Sequence, residues 1–368
     1  MNVRCHGDGN SGGRRLSRPL ILVLMTAATM WWATIGTAGQ GRQKLYVLSS
    51  NADDVTVIDV ATNQIIGSVQ VGPLPHGIAA PRSQDLLYVS TEGDNGVTVV
   101  DVAKDEVVKR YHVFGKRPNE IDITSDGRYL YIPCYGDGMY QVFDTLEEKI
   151  VAQIQTDGLP HNAVVSPDDK YVYLSPMDRG ARSVEQMKED GLPTSENEKI
   201  YVVDTTTRSV VATIPTGNTP RPIAISPDGK RLYVNTDGFL GFEVLDLTGR
   251  KVLSRAAYEL TPEEQAMPSR SHGIGVTPDG KEVWSTDINH GLVFAFDVTT
   301  TPPTQIARLQ TGRTPLWLTI TPDGKTVYVA NTADDTISAF DVASKKERAR
   351  IQLQRGKAPK RMLVVEAR

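Results

Sequence analysis

The chain has 368 residues, with 40 Lys and Arg against 44 Asp and Glu, a formal charge of −4 and 39% hydrophobic residues. That balance excludes a generic polyanion-binding surface, so nucleic acid is not an expected partner. Only one of the two cysteines, Cys134, lies beyond residue 40, so no internal disulfide framework is available there and stability has to come from burial.

At the N-terminus, Arg14, Arg15 and Arg18 precede an apolar run over 19–35, followed by Gly36, Thr37 and Ala38. A basic segment, an apolar segment and small residues at the cleavage position describe an export signal over 1–38 cut after Ala38. The alternative is an uncleaved membrane anchor, although the run is slightly short for a span. Arg14-Arg15 hints at a twin-arginine route, against which Ser17 stands where a hydrophobic residue is wanted. Cleavage would remove four Arg and one Asp and take the charge to about −7. The expected location is periplasmic or secreted, and the membrane is a partner only through this segment.

After a short linker over 39–43, one pattern recurs to the end of the chain. Its clearest copy, over 219–236, reads TPRPIAISPDGKRLYVNT: a Pro before a short apolar strand, a tight SPDG turn, and a second strand carrying Leu-Tyr-Val. Asp-Gly predicts a two-residue hairpin, because Gly takes positive φ without a steric penalty. The turn returns as PRSQD at 81–85, SDGR at 125–128, PDDK at 167–170, and PDGK at 278–281 and 322–325. The second-strand aromatic returns as Tyr46, Tyr88, Tyr131, Tyr173, Tyr233, Trp284 and Tyr328, spaced 42 to 60 residues apart. A third apolar strand then ends in Asp59, Asp101, Asp144, Asp204, Asp246, Asp297 or Asp341, residues expected to cap the turn into an alternating fourth strand.

This period falls in or near that of a four-stranded propeller blade. Continuous apolar runs such as 55–60 and 97–102 predict strands buried on both faces. The strand over 44–49 is a second strand with no first strand before it, and that over 361–366 is a first strand with nothing after it. The fold class is therefore an all-β, seven-bladed propeller of four-stranded antiparallel blades over 44–368, closed by pairing of the C-terminal strand with the strand near residue 44. A monomer is expected.

Two copies carry insertions, over 177–198 and 256–270, and topology sends both to one face. In the second, Thr261, Pro262 and Glu264 stand at the N-cap, first and third positions of a short helix. The first contains a possible helical turn from residue 183.

The sequence Tyr-Val-Ala-Asn at 328–331, with Pro-Asp-Gly-Lys before it and Asp-Asp-Thr-Ile-Ser-Ala-Phe-Asp-Val behind it, resembles the YVTN repeat family of seven-bladed β-propellers. The resemblance covers 44–368 and is weaker in the third and fifth copies. It implies the fold strongly. It implies little about activity, since such families include both enzymes and binding proteins.

The face that carries the insertions also receives the start of every innermost strand. The residue two before each first apolar position is, in chain order, His76, Asn119, His161, Arg221, His272, Leu316 and Lys360. Three of the six histidines occupy equivalent positions on alternate blades, with Arg221 and Lys360 between them, and should ring the mouth of the central channel. Imidazoles in such a ring suit Zn or Cu, for which His76, His161 and His272 are the candidate ligands. With the flanking cations they equally suit a small anionic molecule, one His serving as general base; each His could also merely bond a neighbouring loop. His290, with Asp287 beside it, is a further candidate. Trp317, Glu120 and Arg361, one position further along, should point between blades, and the lone Cys134 thiol is expected to be inert.

No Ser-His-Asp order, phosphate-cradling glycine loop or paired-cysteine motif is present, so no catalytic residue is assigned. Two functions remain open. One is an exported binding protein taking a small anion or a protein partner on its crowned face. The other is an enzyme using the His cluster, either a Cu- or Zn-dependent oxidoreductase or a lactonase or lyase acting on an anionic substrate.

Overall fold

The computed structural model describes residues 42–112, 114–178, 184–191 and 197–367. The expected export segment, its cleavage position and most of the linker lie outside the described residues. Among the described residues no helix is long and apolar enough to cross a membrane.

Within the unit 41–368, the short runs rich in Val, Ile, Leu and aromatics pair into seven four-stranded antiparallel sheets. The second and third strands are buried throughout or nearly so, as in Asp54–Asp59 and Gly96–Asp101. The fourth strands alternate and face outward, so that in Gln64–Gln70 only Val69 is buried. First strands of neighbouring blades touch one another all the way round, which puts them at the axis. A sheet apolar on both faces cannot shield itself, and stacking seven of them in a ring covers every face.

The ring closes as the sequence requires. Pro359–Ala367 pairs antiparallel with Arg42–Ser49, setting Lys44 opposite Val365 and Tyr46 opposite Leu363. Across the same seam, the Tyr328 hydroxyl of the last blade donates to Asn63 Oδ1 of the first at 2.8 Å. All seven repeat Asp side chains accept a backbone N–H two or three residues on, at 2.8–3.0 Å, and so cap the turn into the fourth strand.

The two-residue hairpin expected for SPDG is not what forms. Ser226 N–H bonds Arg231 O across a four-residue loop, Gly229 N–H returns to Ser226 O, and Gly229 takes φ of 69°. The Ser226 hydroxyl donates to Asp228 and accepts from Arg231 N–H, and Ser or Thr plays the same part at 124, 166, 277 and 321. The hydroxyl satisfies a strand-end N–H that a two-residue loop would have left to a backbone carbonyl.

The insertions hold the helices Val184–Glu189 and Pro262–Gln265, the second with the expected capping box between Thr261 and Glu264. Met187 of the first is fully buried against Leu159, the start of an innermost strand.

Candidate functional site

At five of the seven ring positions the chain reaches the axis by one device. The residue two before the ring position, Leu74, Arg117, Thr219, Thr314 or Ala358, adopts the left-handed region with φ of 48–55°. This bend turns the next side chains inward, and non-glycine residues held there signal a locally constrained backbone. Close approach of adjacent inner strands then matters: a Cβ on Gly77, next to His76, would stand 2.4 Å from Asn119 O.

All seven predicted ring residues line one cavity of about 390 Å³, joined by Glu92, Arg117, Tyr135, Met177 and Arg270. Met177 and Arg270 come from the ends of the two insertions, which places those two ends at the mouth. His290 is the exception. The fully buried Asp287 carboxylate accepts from its Nδ1 at 2.7 Å and from Ser269 Oγ, and holds the ring, 3% exposed, within its own blade. Its neighbours are those of a separate cleft containing Gln310 and Arg313.

One arc of the mouth is an ion cluster. His76 turns Nδ1 to Glu92 Oε1 at 2.6 Å and Nε2 to Glu120 Oε1 at 3.3 Å. Glu92 also accepts from Asn119 Nδ2 at 2.7 Å and from Arg117 at 3.1 Å. Burial would raise the Glu92 carboxyl, but His76 and then Arg117 outweigh it and hold it down to about 2. Glu120, wholly buried, pairs with Arg361; burial opposes its ionisation, while the charge of Arg361 and then the nearby His76 keep it low. Arg361 lies over the Trp317 ring at 4.4 Å, and Trp317 packs edge-on to His272 at 5.3 Å. The residues expected between blades are therefore the ones that tie the two arcs together.

The opposite arc is His161, Arg221 and His272, on three successive blades. Arg221 has 10% of its side chain exposed, lies 3.6 Å from Asp237, and its Nε has no hydrogen-bond partner among the described residues. Asn235 fixes this arc, its carbonyl accepting from Arg221 N–H at 2.8 Å and its Nδ2 donating to His272 O at 2.5 Å. His161 Nδ1 meets Asn162 Oδ1 at 2.8 Å, and His272 Nδ1 meets Leu316 O at 2.7 Å. A carbonyl can only accept, so His272 carries its proton on Nδ1 and its lone pair on Nε2. Burial, then the charge of Arg221, holds both imidazoles well below the ordinary histidine value of 6.5, and they are neutral.

That neutrality has a measurable cost in acid. The unfolded chain would protonate both rings near 6.5 while the folded protein does not, so stability should fall as pH drops below that value. Glu92 adds its own loss only below the ordinary value of 4.5. Between about pH 7.5 and about pH 5, Tm should drop less in the H161Q/H272Q double variant than in the wild type. Equal drops would contradict buried neutral rings.

The metal reading finds no support in this geometry. Both His76 nitrogens face carboxylates, Nδ1 of each other ring is engaged, and among the described residues no three His, Cys, Asp or Glu are gathered to hold an ion. Cys134 is fully buried, its thiol pushed up to about 12 by burial, a setting that disfavours the thiolate. The sequence reading missed Glu92 and Arg270. Glu92 stands just past the end of a second strand, and Arg270 two residues before His272 at the end of an insertion.

The family model described as lactonase, 7-bladed beta-propeller, matches residues 34–365. Among curated proteins, antigen Lp49 of Leptospira interrogans is 31% identical over 128 residues, covering 34% of this chain and 25% of its own. An uncharacterized protein of Staphylococcus epidermidis is 22% identical over 194 residues, 48% of this chain and 53% of its own. The matched region thus spans from a quarter to about half the length of these relatives. Among solved structures, hydrazine synthase of Kuenenia stuttgartiensis is similar with a TM-score of 0.70 at 22% identity, over 82% of this chain and 92% of that one. The periplasmic gluconolactonase of Pseudomonas aeruginosa gives 0.68 at 17%, over 89% and 100%. At these identities the likeness to solved structures shows the fold alone.

Proposed function

The chain belongs to the lactonase family of seven-bladed β-propellers, and from that membership and the channel mouth we propose that it hydrolyses the cyclic ester of a sugar acid. The observation that carries the reading is Arg221, a buried guanidinium with an unmatched Nε, set between two neutral imidazoles on adjoining blades. Ester hydrolysis needs a proton acceptor for water and a cation where the carbonyl oxygen becomes negative.

In this reading His272 Nε2 takes a proton from water as the oxygen attacks the lactone carbonyl. Arg221 meets the developing oxyanion. Leu316 O, bonded to Nδ1–H, keeps the ring oriented and stabilises the imidazolium. When the ring C–O bond breaks, the imidazolium returns its proton to the departing alkoxide, leaving an open-chain hydroxy acid. His161, on the other side of Arg221, positions the substrate hydroxyls.

The test is opening of D-glucono-lactone and of a panel of five- and six-membered sugar lactones, followed against spontaneous hydrolysis. Arg221→Gln should lower kcat/KM about 10²–10³-fold, as loss of an oxyanion donor does. Because His272 is depressed, the acid limb of kcat/KM should lie below pH 6.5. If no lactone of the panel opens faster than in buffer, the enzyme reading fails and anion binding at the same mouth is left. We further propose a periplasmic setting, supported by the basic, apolar and small-residue order over 14–38. Fractionation with the Ala38 junction sequenced would check it.

A further inference from the structure

Lys360 has no part in that reaction, yet it opens on the same cavity on the far side of the mouth from Arg221. Its Nζ stands 3.1 Å and 2.9 Å from Nδ1 and Nε2 of His76. Among the described residues it makes no ion pair, because Glu92 and Glu120 are engaged by His76, Arg117 and Arg361. Burial, acting against the more distant charges of those two carboxylates, draws its ammonium below the ordinary lysine value.

A lysine kept out of water for structural reasons is ordinarily paired. This one faces a cavity, with an imidazole in place of a counter-ion. An unpaired amine in a partly dry pocket lined by other cations is the setting in which lysine becomes a nucleophile toward carbonyl carbon. Arg117 and Arg221, which line the same cavity from opposite arcs, supply charge for a carboxylate elsewhere on the molecule.

We propose that Lys360 captures carboxylate-bearing aldehydes and ketones, 2-oxo acids foremost, as an imine at the channel mouth. The Nζ lone pair adds to the carbonyl carbon and the C=O electron pair moves to oxygen. Both amine hydrogens then pass to that oxygen, which leaves as water while the C=N bond forms. His76, its nitrogens turned to Glu92 and Glu120, lies against Nζ and positions the amine. Amine plus carbonyl gives imine plus water, with no oxidant or reductant. The inference stands apart from lactone hydrolysis, since it uses another group and makes another bond.

The test treats the purified full chain with glyoxylate and sodium cyanoborohydride, then quantifies every lysine-containing peptide. A carboxymethyl group should accumulate on Lys360 at least about tenfold faster than on any other lysine. Pyruvate added beforehand should compete. His76→Gln should slow the labelling without moving it to another site. Lactone opening, measured on the same preparation, is read separately, so either activity can fail alone. Labelling of Lys360 no faster than of an exposed residue such as Lys104, or no labelling at all, overturns the proposal.

Discussion

Deleting residues 359–368 should abolish cooperative unfolding. The strand Pro359–Ala367 is the innermost of the first blade and the only one contributed from the far end of the chain. Met362 and Val364 are buried in one cluster with Leu45, Val47 and Trp317, and Val365 in another with Tyr46 and Val57. Burying three such side chains contributes about 1.5–3 kcal/mol each. Their loss alone approaches the whole stability of an ordinary domain, about 5–15 kcal/mol. The deletion also leaves Arg42–Ser49, still paired with Asp54–Asp59, as the bare inner edge of the first blade. Denaturant unfolding should become broad or disappear. A rearranged chain separates loss of the strand from loss of length. Because Arg42 lies opposite Ala367, residues 356–368 can be placed ahead of residue 42 through a short hairpin loop, with the new break in the exposed segment around Gly356. That variant should melt sharply. A truncated chain as cooperative as the wild type would mean that the seam does not hold the ring.

Why the seam could be read from sequence, and the channel chemistry only in part, has a physical explanation. Burial on both faces imposes near-identical apolar runs on every blade, so the repeat states the sheet order, and a stray second strand at one end demands a stray first strand at the other. The ring positions were legible for the same reason: a fixed offset from each inner strand becomes a fixed angle about the axis. What the repeat cannot state is how unlike side chains on different blades pair. Glu92 reaches His76 within one blade, but Glu120 of the third blade meets both His76 of the second and Arg361 of the first, and nothing local to any of them signals it. His290 failed in the opposite sense. It stands near the ring in sequence, and an acid three residues earlier captures it. The SPDG turn failed because Asp-Gly suits two loop lengths, and the Ser or Thr hydroxyl before it selects the longer.

The second large effect is expected at Glu120. Its side chain is wholly buried, and among the described residues it is the only carboxylate paired with Arg361, whose own side chain is 18% exposed; His76 turns its second nitrogen to the same group. Among the described residues neither Glu120 oxygen makes a hydrogen bond of good geometry, so charge holds the contact. Charge attraction at a buried site is offset by the cost of stripping water from both ions, and replacing such a pair with apolar side chains is often neutral. Removing one partner differs, because it strands the other. Glu120→Met should therefore cost about 3–5 kcal/mol in urea unfolding, with Arg361 left without its counter-charge between the first and third blades. The double variant E120M/R361M should recover most of that loss, giving a coupling between the two sites well above the few tenths of a kcal/mol expected of independent positions. It should also slow lactone opening, because Arg361 stacks on Trp317, and Trp317 holds the edge of the His272 ring. A single variant costing less than about 1 kcal/mol, the range of a solvent-exposed pair, would show that Glu120 is solvated or protonated in the native protein, and the ion cluster would then lose its role as the strut between blades.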